Sequence, residues 1–126
     1  MTLRITRRFD QHYACPTCSR ERLDANTELD DRTWTCQRCH QPVHIKMADP
    51  AGNHYLVERH LPRQLTVGDR IVYLHDYNRL GVGELKASST STYKEKSWLL
   101  VVQDFGHRLV NPDHYVNCIP STIASA

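Results

Sequence analysis

No apolar run in this sequence is longer than five residues. The longest, Trp98 to Val102, is strand length, far short of the ~20 apolar residues of a membrane-spanning helix. A membrane partner is therefore not expected. The first residues, "MTLRITRRFDQHYA", carry arginines but no apolar core. No secretory leader is expected, and the reading is a cytoplasmic, thiol-reducing compartment. An excess of charge of one sign is also missing: 16 basic groups face 14 acidic ones, for a net +2. A strong electrostatic hold on nucleic acid normally shows as a basic stripe. Here the only basic cluster is Arg4, Arg7 and Arg8. Paired carboxylates and a nucleophile with its base are absent as well. Gly81 and Gly83 do not complete a phosphate-binding frame. An enzyme is not expected, nor a small-molecule substrate.

What the sequence does hold is two Cys-x-x-Cys pairs, Cys15/Cys18 and Cys36/Cys39, seventeen residues apart. Each pair can turn in a tight knuckle with two thiolates on one ion, and two knuckles side by side complete a tetrahedron. Disulfides are disfavoured by the compartment, and neither pair sits in the βαβ pattern of a redox centre. His40 and His44 are alternative ligands, but four cysteines already satisfy tetrahedral zinc. "RLDANTEL" (22–29) and "TWTC" (33–36) read as short strands around a polar turn, "QPVHIKM" (41–47) as a third, and Trp34 as cover for a thin core.

Residues 13–48 thus resemble a zinc ribbon. The resemblance implies one structural Zn2+ held by Cys15, Cys18, Cys36 and Cys39. A shell closed by four sulfurs leaves no place for a catalytic water.

The remainder divides into a linker at 49–64, a β domain at 65–121 and a tail at 122–126. The linker has a hinge at 49–53, a break near Pro62 and a middle, "HYLVERHL", that reads as a strand or one helical turn. Residues 1–13 read as an arm and 14–48 as the ribbon domain. From 65 onward short strand signals alternate with turns: "RIVYLH" (70–75), "GVGELKAS" (81–88), "KSWLLVVQD" (96–104), "HRLVN" (107–111) and "YVNCI" (115–119). Asp69 reads as a turn carboxylate, Gly81 and Gly83 as bend or bulge positions, "KASSTSTYKEK" (86–96) as a polar loop and Cys118 as a buried thiol.

The frame "VGDRIVYL…GVGEL…WLLVV…VNCIP" is similar to an SH3-like (Tudor- or KOW-like) barrel. The predicted fold class is mostly β, a zinc ribbon followed by a small antiparallel barrel. "LTVGDRIV" with "NPDH" is also similar to the Hint fold of autoprocessing domains, with Asp113 and His114 at the matching positions. However, no Cys or Ser occurs at 49–64 to serve as nucleophile.

Two functions fit these features. One is a non-catalytic accessory regulator bound to nucleic acid. Its phosphate contacts would be Arg4, Arg7, Arg8, Arg20, Arg22, Arg32, Arg38 and Lys46, with Tyr73, Tyr77 and Tyr93 as aromatic contacts. The other is an adaptor that docks on a larger protein assembly through the same surfaces. A degenerate Hint-type autoprocessing domain comes third. The eight histidines are scattered along the chain, with no ligand spacing of their own.

Overall fold

Alternating apolar and polar residues dominate the chain, and strands dominate its structure. The computed structural model describes residues 2–91 and 97–121. In chain order its strands are β1 (Asp10–Ala14), β2 (Leu29–Asp30), β3 (Thr35–Cys36), β4 (His44–Ala48) and β5 (His54–His60). After a 3-10 turn at Pro62–Gln64 come β6 (Arg70–Asp76), β7 (Arg79–Thr90), β8 (Trp98–Val102), β9 (Gly106–Val110) and β10 (Val116–Cys118). Eight of these form one antiparallel sheet in the order β1-β4-β5-β10-β6-β7-β8-β9, and β2 and β3 pair separately. The fold is therefore mostly β, with an open antiparallel sheet. No helix among the described residues is long and apolar enough to cross a membrane.

Within the expected linker at 49–64 the middle takes the strand alternative and joins the sheet. "HYLVERH" is β5, and it pairs with β4 on one side and β10 on the other. Part of the expected arm is strand too, since β1 begins at Asp10 and pairs with β4. The cysteine-bearing segment and the second half are thus joined through a continuous sheet. The expected tail at 122–126 lies outside the described residues.

Period-2 alternation sends neighbouring residues to two cores on opposite faces. On β6, Ile71 and Tyr73 enter one core, with Leu85, Leu100, Val102, Phe105, Val116 and Cys118. Val72 enters the other, with Phe9, Tyr13, Trp34, Val43, Ile45, Met47 and Val57. That second cluster also takes in Leu80 and Ile119, so it spans both halves of the sequence.

Several local expectations hold and others do not. Asp69 caps its turn by accepting the Thr66 amide at 2.8 Å. Gly81 and Gly83, expected at bends, instead sit opposite Tyr73 and Ile71 in regular register. The bulge lies further on, between Leu85 and Ala87. A Cβ on Gly83 would stand 2.3 Å from the Gln103 carbonyl oxygen, and one on Gly81 2.7 Å from the Tyr73 ring. Close approach, not bending, requires glycine there. The polar run at 86–96 is strand as far as Thr90, because it pairs with β8; residues 92–96, with Tyr93, Lys94 and Lys96, lie outside the described residues. The strand expected at 22–29 is mostly turn. Asp24 accepts the Asn26 amide on its carboxylate and the Glu28 amide on its carbonyl, and this local bonding displaces strand pairing.

Candidate metal centre

The two cysteine knuckles are built alike. In the first, the Cys15 amide bonds to the Arg20 carbonyl at 2.8 Å, the Arg20 amide returns to the Cys15 carbonyl at 2.9 Å, and the Cys18 amide points at Cys15 Sγ at 3.3 Å. In the second, the Cys36 amide bonds to the Gln41 carbonyl at 2.9 Å. Each loop turns through a residue in the left-handed region just after its second cysteine, Ser19 (φ 55°) and His40 (φ 61°). The same offsets of three, four and five residues recur in both, which is how a short chain points two sulfurs at one spot twice.

The four sulfurs lie within 4.8 Å of one another, with Cys15 and Cys39 at 3.4 Å. Cys15 and Cys36 are buried, Cys18 and Cys39 half-buried, and no disulfide joins them. These residues lie close enough to hold a metal ion. The donor chemistry fits a soft or borderline divalent ion that takes thiolates. Cys18 is pushed up to about 12 by its hydrogen bond with Cys39, burial and the other thiols. At Cys36 burial pushes up, but the amides of Cys39 and Arg38 prevail and bring it to about 7. Cys36 ionises more readily than Cys15 and Cys18, and a dication held by the group would favour the thiolate form.

His40 is exposed beside the second knuckle and is not grouped with the four sulfurs. His44 turns instead to Glu58 on β5, at 3.1 Å, and His60 holds the other oxygen of the same carboxylate at 2.7 Å.

Comparison with protein-family models, curated proteins and solved structures finds no match. Geometry and chemistry alone therefore carry the reading of this chain.

Beneath the knuckles lies a network centred on Arg59, a residue that sequence reasoning passed over. Its guanidinium is fully buried and forks onto Asp10 at 2.7 and 3.0 Å, while its Nε donates to Asn117 Oδ1 at 2.7 Å. The Tyr13 hydroxyl donates to the same Asp10 carboxylate at 2.7 Å. The Trp34 ring covers the guanidinium at 4.2 Å and stacks on Tyr13 at 6.3 Å between centroids. Arg59 thereby ties β5, β1, β10 and the segment between the knuckles together. The available signal was alternation: Tyr55, Val57 and Arg59 share one strand face, and a charge on an otherwise apolar face needs a buried partner.

The expected contact residues separate into groups. Arg7 pairs with Asp31 at 3.2 Å and lies 5.9 Å from the Trp34 and Tyr13 rings. Arg8 is held between the Phe9 and Tyr77 rings, at 4.4 and 4.1 Å, and donates to the Tyr77 carbonyl. Arg20 pairs with Glu28 and Arg32 with Asp30. Arg4, Arg22, Arg38 and Lys46 have no ion-pair partner among the described residues. Arg22 and Lys46 stand close to His12, whose pKa is lowered by burial and then by these two cations. Lys46 is directly opposite His12 in the β1–β4 ladder. Tyr73 requires correction: it is buried against Phe105, at 4.8 Å, and is not available to a partner. Tyr77 is exposed.

The histidines scattered in sequence are gathered by strand pairing. His12 on β1, His44 on β4, and His54 and His60 on β5 occupy the sheet face opposite the core of Phe9, Trp34 and Ile45, beside Lys46 and Glu58. Cys118 is buried in the other core, its thiol pushed up to about 12 chiefly by burial. It behaves as a small apolar side chain.

Proposed function

We propose that the chain is a non-catalytic accessory protein that holds one structural zinc ion and contacts nucleic acid beside it. Cys15, Cys18, Cys36 and Cys39 would hold the ion in a zinc ribbon. Four sulfurs fill a tetrahedral shell, so the ion would fix shape rather than activate water. The second half reads as an SH3-like barrel, supported by its strand order β10-β6-β7-β8-β9 and by a long β7 shared between β6 and β8.

The observation that carries the nucleic-acid reading is the cationic strip next to the ribbon. Arg22 and Lys46 flank His12 without a carboxylate partner, and Arg38, exposed next to Cys39 in the chain, has no ion pair among the described residues either. Unpaired cations on a rigid surface are free to meet phosphates, whereas Arg7 and Arg8 are spent on holding the arm in place. The near-balanced charge of the whole chain keeps this contact modest in strength.

The test is binding of labelled duplex and single-stranded oligonucleotides across a salt series. Three phosphates neutralised give a log–log slope of about −3 on duplex. Arg22→Glu and Lys46→Glu are each expected to weaken binding about tenfold with thermal stability unchanged. Absence of binding at low salt, or equal affinity of both variants and the parent, would overturn the reading.

A further inference from the structure

The eight-stranded sheet ends at two edges, and they are not equivalent. At β1 the edge is partly covered, because the Tyr13 carbonyl already accepts the Leu23 amide at 2.8 Å. At β9 nothing comparable is present among the described residues. This strand pairs only with β8, and every second residue sends its N–H and C=O to the opposite side. Among the described residues none of these groups has a backbone partner beyond β8. The one cap there is the Arg108 guanidinium, which donates to the His107 carbonyl at 3.1 Å.

A groove of about 230 Å³ runs beside this edge, between β9 and the extended residues Thr2–Arg4. Leu3 and Val116 supply apolar floor, and Leu109 on the strand is 45% exposed. Arg4, Arg108 and His114 line the groove, and no carboxylate does. The nearest acid in sequence, Asp113, is turned to Arg63 at 3.6 Å. Neither Arg4 nor His114 has a side-chain partner among the described residues.

We propose that this groove takes an extended acidic segment of a partner protein, which adds a strand to β9. The row of amides and carbonyls on the outer side of β9, which has no backbone partner among the described residues, matches the backbone of an extended peptide. Leu109, on one face of β9, receives every second, apolar side chain, and Arg108 on the other face, with Arg4 and His114, complements the acidic ones between. A nucleic-acid strand would satisfy the cations but not the amide–carbonyl row, because its backbone has no N–H to donate. The site uses none of the residues of the strip around His12, so the two surfaces can be occupied together and tested apart.

The probe is a fluorescein-labelled (Glu-Val)5 peptide, titrated with the whole 126-residue chain as purified and read by anisotropy and by amide chemical shifts. Three results are expected: shifts concentrated at Gly106–Val110, at least tenfold weaker binding for Arg108→Glu, and a similar loss when alternate peptide nitrogens are methylated. An oligonucleotide of equal charge should not displace the peptide. Leu109→Pro, which removes one edge N–H, is a second variant, and both variants are checked for unchanged zinc content and thermal midpoint. Four results would overturn the proposal. These are no binding at millimolar peptide, equal binding of the methylated peptide, displacement by the oligonucleotide, and equal affinity of folded Arg108→Glu.

Discussion

Arg59 is the residue on which the core of Phe9, Trp34 and Ile45 depends most, because its charge has no water to turn to. The fork onto Asp10 and the bond to Asn117 satisfy it, and no buried side-chain nitrogen or oxygen among the described residues lacks a partner. A buried pair is only weakly stabilising relative to apolar residues, but removing one partner strands the other. Arg59→Met is therefore expected to lower stability by about 3–5 kcal/mol in chemical denaturation, and Asp10→Asn in the same chain should recover part of that loss. Asp49 shows a second buried charge with a different signature. Burial pushes its pKa up, but bonds from the Asn53 side chain, the Leu80 amide and the Asn53 amide outweigh burial and hold it at about 2. Unfolded aspartate titrates near about 3.9. The folded value is the lower one, so this stabilisation is complete above the unfolded pKa and disappears as pH falls from about 4 towards 2. Asp49→Asn should be less stable than the parent at neutral pH and show a flatter acid limb in a pH series of thermal midpoints. At this scale the sequence was legible for the cysteines, whose spacing is a geometric requirement. It was not legible for Arg59, whose partner Asp10 lies 49 residues away in the chain.

The strands from β6 to β10 were readable as elements because alternation and turn residues mark their ends locally. The function of the glycines in β7 was not, since a close approach depends on which strand crosses where. Gly83→Ala drives a methyl into the Gln103 carbonyl, where neither backbone can yield cheaply. The expected cost is about 1–3 kcal/mol. Gly52→Ala meets no atom within 4 Å and carries only the strain of its φ of 93°, a cost of about 1 kcal/mol. Parallel urea titrations of the two variants distinguish them, and equal costs would refute the close-approach account. β5 was legible only as a strand or one helical turn, because its flanking Pro50, Gly52 and Pro62 read as linker punctuation. Its seven residues are instead the bridge between β4 and β10.

On the scale of the whole molecule, one sheet carries both halves and the knuckles sit over the face that Arg59, Trp34 and Tyr13 organise. β2 and β3 are two residues each, too short to hold a shape without packing or a bound ion. On the proposed reading, the segment between the knuckles would depend on the four sulfurs meeting one cation. Mostly-β character followed from the alternation in the sequence. The continuity of the sheet did not, because long-range pairing leaves no local mark. X-ray absorption at the zinc edge, on protein purified without added metal or chelator, tests this centre most directly. One zinc per chain with four sulfur neighbours at about 2.3 Å is the predicted spectrum. Substoichiometric metal, or a shell containing an oxygen or nitrogen neighbour, would contradict it.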